Sequence, residues 1–264
     1  MTSANLILGD CVEAMARLPE ASIDLTVTSP PYDNLRTYNG SLNDWNAAKW
    51  QAVIAGLYRV TKPGGVVVWV VGDATIKGSE TGTSFRQALY AMECGFRLHD
   101  TMIWAKANGG AVGSNLTYTQ NTEFMFVWSK GRPATINLIR DRRNASAGQI
   151  RNPNRRKVTG ERKSSPPIQI AACGRRNNWW IVPPENKSQG HPAPFPEALA
   201  RDHILSWSNP GDVVLDPFLG SGTTAKMALA LGRRCIGIER DPSYFAIAQE
   251  RVQPGLTQFL EAAE

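Results

Sequence analysis

Few residues in this sequence are placed to hold a metal ion. Its four cysteines, Cys11, Cys94, Cys173 and Cys235, are scattered and form no C-x-x-C pair, which argues against both a zinc site and a disulfide framework. The three histidines, His99, His191 and His203, show no ligand spacing, so no metal is expected. Long apolar runs are also missing. The longest, Val66 to Val71, falls far short of the roughly 20 residues needed to span a bilayer. Near the N-terminus, Asp10 and Glu13 stand where a signal peptide would be apolar. The expectation is a cytoplasmic protein with reduced thiols and no membrane partner.

What is present is an uneven charge. Of the 29 basic and 23 acidic residues in 264, 13 Lys or Arg and only Asp141 and Glu161 lie between Lys130 and Arg176, a local charge of +11 against −5 for the remainder. That segment is rich in Arg, Asn, Gly, Ser and Pro and has little apolar periodicity, which predicts a loop-rich insert suited to a phosphate backbone. A solvated basic loop with no partner would have the same composition.

Around the insert the chain reads as α/β. Strands are predicted at Asn5–Leu8, Ile23–Thr28, Val66–Val71, Leu98–Trp104 and Glu123–Trp128, with helices at Cys11–Leu18, Trp50–Thr61 and Phe85–Cys94. The Val66–Val71 run is apolar at consecutive positions, as in a parallel strand covered on both faces. Beyond the insert, a helix at Pro196–Trp207 leads to a strand at Val213–Leu215, a helix at Thr223–Leu231, a strand at Cys235–Ile238 and a last helix capped by Asp241.

Two motifs carry the chemistry. The first is Ser29-Pro30-Pro31-Tyr32, directly after a β-branched strand. Proline has no amide hydrogen for the ladder, so the strand must stop there, and the prolines pre-set the turn's shape. The Ser29 hydroxyl and Pro30 carbonyl can accept both hydrogens of an exocyclic amine, and Tyr32 can stack on a flat ring. The second motif is Asp216-Pro217-Phe218-Leu219-Gly220-Ser221-Gly222-Thr223, a glycine turn between strand and helix, with Glu239 ending the next strand, as in nucleotide-binding βαβ units. The third glycine of the dinucleotide fingerprint is replaced by alanine. A carboxylate at Asp216 would repel a pyrophosphate and attract a cationic amino group, which favours S-adenosylmethionine.

Together the two motifs resemble the amino-group DNA methyltransferases of the β arrangement, in which the catalytic half precedes the cofactor half. The resemblance extends to Gly9-Asp10-Cys11, Lys62-Pro63-Gly64-Gly65 and the stretch His191 to Glu197. It implies a Rossmann-like methyltransferase fold, mostly parallel with helices on both faces. The implied division is a catalytic half at 1–130, a target-recognition insert at 131–184 and a cofactor half at 185–264. It implies that Asp10 and Cys11 contact the cofactor's adenine, Glu239 its ribose, and Asp216 with Phe218, Gly220, Ser221, Gly222 and Thr223 its methionine part, with Phe195 closing the pocket. Asp10 could instead cap the first helix, and Phe195 could belong to the core. Arg142, Arg143, Arg155, Arg156 and Arg175 are the candidates for contacts to double-stranded DNA. A nucleoid-associated location, pairing into a homodimer and a cognate restriction enzyme are further implications.

No Pro-Cys turn stands at the matching place, so a cysteine nucleophile for ring-carbon methylation is not expected. Ser29 in the first position leans towards the 4-amino group of cytosine over the 6-amino group of adenine. An RNA adenine or protein glutamine methyltransferase would also present a Pro-Pro-Tyr turn, though with asparagine first and the cofactor motif ahead of it. A non-catalytic nucleic-acid-binding module is the third reading.

Overall fold

A computed structural model describes residues 2–32, 45–107, 118–151, 154–156, 160, 162–164, 166–185 and 196–261. In chain order it holds β1 (Ala4–Leu8), α1 (Cys11–Arg17), β2 (Ile23–Thr28), α2 (Ala47–Val60), β3 (Thr61–Val71), a hairpin of β4 (Thr75–Ile76) and β5 (Ser79–Glu80), α3 (Thr83–Glu93), β6 (Arg97–Ala105) and β7 (Thr122–Ser129). Six short strands follow: β8 (Arg142–Arg143), β9 (Ile150–Arg151), β10 (Asn154–Arg156), β11 (Arg162–Ser164), β12 (Ile168–Gln169) and β13 (Cys173–Gly174). The chain ends with β14 (Trp179–Ile181), α4 (Glu197–Trp207), β15 (Val213–Asp216), α5 (Thr223–Ala230), β16 (Arg234–Glu239) and α6 (Pro242–Glu261).

Eight strands form one sheet in the order β1-β16-β15-β2-β3-β7-β6-β14. Its neighbours pair in parallel except at β7, which runs antiparallel to both β3 and β6. Alternation in β3 divides the core: Val67, Trp69 and Val71 pack with α1, α2 and α3 on one face, and Val66, Val68 and Val70 with α4, α5 and α6 on the other. Side chains of consecutive strand residues point to opposite faces, so a run apolar at every position fits only a sheet covered twice.

The predicted strands and helices recur with shifts of a few residues at their ends. One difference has a clear cause. β3 begins at Thr61, with Lys62-Pro63-Gly64-Gly65 inside it, because the ladder with β2 pairs Ile23 with Thr61 and then resumes at Leu25 and Val66. Pro63 occupies that excursion, where its missing amide costs no bond to β2, while Gly64 donates to the Lys130 carbonyl at 2.6 Å.

The topology marks a candidate site. From β15 the chain passes through α5 to β16 on one side, and from β2 through α2 to β3 on the other. The order therefore diverges between β15 and β2, and in open α/β sheets ligands bind at the carboxyl ends of the strands flanking such a point. Both motifs leave from those two strand ends.

Two units are distinguishable: Met1–Asn137 with Asn178–Glu264, and Leu138–Asn177. The second is narrower than the expected 131–184 insert, since β14 belongs to the sheet through its parallel pairing with β6. It is also more regular than its composition implies. β8 pairs with β13, β9 with β12 and β10 with β11, all antiparallel, so the unit is one long interrupted β-ribbon. Short polar strands broken by glycine and proline give no period-two apolar signal, which is why composition alone reads as loop.

Candidate active site

Asp216 is the last residue of β15 and only 4% exposed. Its Oδ1 accepts from the Thr28 hydroxyl at 2.6 Å and from the Phe218 amide at 3.1 Å. Thr28 ends β2, so this bond ties the two strand ends that carry the motifs. Burial pushes the Asp216 carboxyl up to about 6, against the lowering effect of hydrogen bonds from Thr28, Thr224 and the Phe218 amide. Among the described residues no basic side chain pairs with it. A buried carboxylate served only by neutral donors is a site prepared for a cation.

The following turn is built by its glycines. Gly220 and Gly222 have φ of +53° and +84°, the left-handed region where glycine is favoured. A Cβ on Gly222 would lie 3.0 Å from that of Ala248 in α6. Gly220 donates its amide to Glu239 Oε2 at 2.8 Å, and Asp241 donates to Oε1 at 2.8 Å. Burial raises the Glu239 carboxyl, with those amides pulling the other way. The Arg240 amide pulls in the same direction, and with roughly four lone-pair sites the carboxylate keeps room for a hydroxyl donor. Phe218 packs edge-on against Trp45 and Trp69, at ring-centre distances of 5.4 and 6.2 Å. Ser221 is buried, and Arg251 of α6 donates to its carbonyl and its hydroxyl, each at 2.9 Å, and to the Thr223 hydroxyl at 3.3 Å. Arg251 and Lys226 both hold Glu197, at 2.9 and 2.7 Å, so α4, α5 and α6 buttress the turn from behind.

β1 pairs with β16 so that Leu8 faces Glu239, and the Gly9 amide donates to the Glu239 carbonyl at 2.8 Å. This brings Asp10 and Cys11 to the strand end next to Glu239. Asp10 caps α1, accepting from the amides of Val12 at 2.9 Å and Glu13 at 3.3 Å, and pairs with Lys49. Partial burial pushes its carboxyl up, but Lys49 and those amides outweigh it and leave it below the usual range. The capping alternative therefore holds, with the carboxylate engaged. Cys11 is buried and its thiol is pushed up to about 12 by burial and by Asp10, which favours the protonated form.

Ser29 is half-buried and Pro30 is buried. Tyr32 is 9% exposed, and its hydroxyl lies 3.0 Å from Ser29 Oγ and 2.5 Å from Glu123 Oε2. Its ring lies against Gly72, where an added Cβ would sit 3.6 Å from Tyr32 Cε2. Tyr32 as a whole is thus mostly buried, and its hydroxyl is engaged. Glu123, Lys106 and Arg251 were not among the residues that the sequence singles out for the site. Their partners are distant in sequence, and no motif spacing joins them.

Phe195 lies outside the described residues. In the β-ribbon, Arg142 and Arg143 are exposed, and Arg142 donates to the carbonyl of the exposed Arg175 at 3.1 Å. The backbone register sets Arg155 opposite Lys163 and Arg156 opposite Arg162. Among the described residues there is no cluster of metal-binding side chains and no helix long and apolar enough to cross a membrane.

A family model described as DNA methylase, of the N6/N4 type, matches residues 23–250. The orphan methyltransferase M.BamHII of Bacillus amyloliquefaciens is 49% identical over 257 residues, covering 93% of this chain and 91% of that protein. The Type II methyltransferase M.SmaI of Serratia marcescens is 28% identical over 289 residues, covering 96% and 91%. Among solved structures, a Thermus thermophilus protein in complex with S-adenosyl-L-methionine is 27% identical with a TM-score of 0.64, covering 96% of each chain. The cytosine-N4-specific PvuII DNA methyltransferase is similar in fold, with a TM-score of 0.68 at 19% identity over 95% of this chain and 86% of that one.

Proposed function

Because the chain belongs to the N6/N4 DNA methylase family, the S-adenosylmethionine-dependent DNA methyltransferases, we propose that it methylates the exocyclic amine of a base turned out of duplex DNA. The 4-amino group of cytosine is favoured slightly over the 6-amino group of adenine. The observation that carries this reading is the Thr28–Asp216 hydrogen bond of 2.6 Å, which joins the Ser-Pro-Pro-Tyr turn to a buried carboxylate with no described cation partner.

That carboxylate fits the cofactor. Asp216 would take its amino group, the Phe218–Thr223 turn its methionine part and Glu239 its ribose, while Cys11 and the backbone near Asp10 would border its adenine. When bound, the cofactor supplies an electrophilic methyl group on a sulfonium. Ser29 and the Pro30 carbonyl would accept both amine hydrogens, drawing the nitrogen lone pair out of conjugation with the ring and fixing its direction. No covalent enzyme intermediate is needed, so the residues act by positioning and charge stabilisation. Reaching such a site requires the base to leave the stack. Tyr32 fixes the turn through its hydroxyl in this reading, and stacking would need its ring to be uncovered.

The ribbon supports DNA as the substrate. Between Lys130 and Arg176 the sequence has 13 Lys or Arg against two acidic residues, a charge suited to a phosphate backbone. A two-stranded ribbon is also narrow enough to enter a major groove.

The test is to incubate the protein with methyl-labelled cofactor and mixed-sequence duplex DNA and to identify the modified nucleoside by mass spectrometry. N4-methylcytosine is expected, and N6-methyladenine would reverse the choice of base. Label in RNA or protein but not in DNA would overturn the substrate.

A further inference from the structure

A hydroxyl group does not by itself commit to being an acceptor. Ser29 could equally donate its proton to a ring nitrogen or a carbonyl, and a site selective for an amine has to prevent that. Glu123 stands near the start of β7, 7% exposed, and forms an ion pair with Lys106 through Oε1. Lys106 in turn lies over the Trp104 ring, 5.1 Å from its centre. The other oxygen, Oε2, lies 2.5 Å from the Tyr32 hydroxyl, which lies 3.0 Å from Ser29 Oγ.

An ionised carboxylate only accepts hydrogen bonds, and a tyrosine hydroxyl has a single proton. At 2.5 Å from a carboxylate that proton must point to Glu123, since the reverse would set lone pairs against a buried negative charge. The Val70 carbonyl, 3.4 Å from the same hydroxyl, is the poorer acceptor. Tyr32 then has only lone pairs to offer Ser29, and the Ser29 proton is directed at Tyr32. What Ser29 can present to a substrate is a lone pair.

We propose that Glu123, held by Lys106, is a positioning residue that acts through Tyr32 to make Ser29 an acceptor only, and so selects an amine as the group to be methylated. The inference rests on the amino-transfer reading above. It names the residues that let a neutral serine do what a carboxylate would do unaided.

Single-turnover methylation of unmethylated genomic DNA with tritiated S-adenosylmethionine tests it, alongside calorimetric cofactor affinity. Glu123→Gln and Tyr32→Phe should each slow transfer by about 100-fold, with cofactor affinity kept. The double variant should be no slower than the slower single, because both break one chain. Ser29→Asp supplies a group that accepts whatever its neighbours do, so adding Glu123→Gln in that background should cost little. A purely structural role for Glu123 would cost the same in either background. Full activity of Glu123→Gln, multiplying losses in the double variant, or an undiminished Glu123→Gln effect beside an active Ser29→Asp would each overturn the inference. If Ser29→Asp is itself inactive, the Tyr32 and Glu123 pair of variants decides. If Glu123→Gln fails to bind cofactor, Tyr32→Phe decides, because it leaves the ion pair in place. Wild-type protein that labels no amino group would instead defeat the amino-transfer reading itself, a result distinct from any of these.

Discussion

Asp216 is held at the end of β15 with neutral donors around it, and its carboxyl is pushed up to about 6 by burial. The ordinary value for aspartate is 3.8, so between these two values the native protein holds more protons than the unfolded chain. Without cofactor, stability should therefore fall as pH rises from about 4 to about 6, by up to roughly 3 kcal/mol. A bound cation favours the ionised form, so S-adenosylmethionine affinity should strengthen over the same interval and level off above it. Isothermal titration at several pH values checks this, and Asp216→Asn should flatten the profile while lowering affinity about 10- to 100-fold. Affinity that did not vary with pH would mean that Asp216 does not face the cofactor's charge.

At the level of elements, the turn between β15 and α5 depends on a backbone conformation and a close approach. Gly222→Ala puts a side chain at φ +84° and a Cβ 3.0 Å from that of Ala248. The left-handed conformation alone costs about 1–2 kcal/mol, so a lower melting temperature and weakened cofactor binding are expected, read by thermal unfolding with and without ligand. This turn is legible in the sequence because a strand, glycines at fixed spacing and a terminal acidic residue form a local pattern. So is the end of β2 at Thr28, since prolines must close the ladder. β14 is not legible, because Trp179–Ile181 is too short to show a period. Glu123, and the pairing of Thr28 with Asp216, escape notice for another reason: the partners lie 91 and 188 positions apart, joined by the sheet and not by any motif. For Tyr32 the sequence shows a ring but not which face the core covers, so the engagement of its hydroxyl emerges only from the fold.

For the whole molecule, the basic charge gathered in the ribbon predicts binding that weakens steeply with salt. Replacing Arg142 and Arg143 with alanine should lower the slope of log affinity against log salt by about one for each phosphate these side chains neutralise, measured by fluorescence anisotropy on duplex DNA. An unchanged slope would remove these arginines from the interface. The proposed function makes methyl transfer depend on the Ser-Pro-Pro-Tyr turn gripping an amine beside Asp216. The most direct measurement compares the methylated nucleosides made by wild-type protein and Ser29→Ala from duplex DNA at saturating cofactor. An amino-methylated base, N4-methylcytosine first, is expected from the wild type and almost none from Ser29→Ala. Equal yields from the two proteins, or a methyl group on a ring carbon, would contradict that dependence.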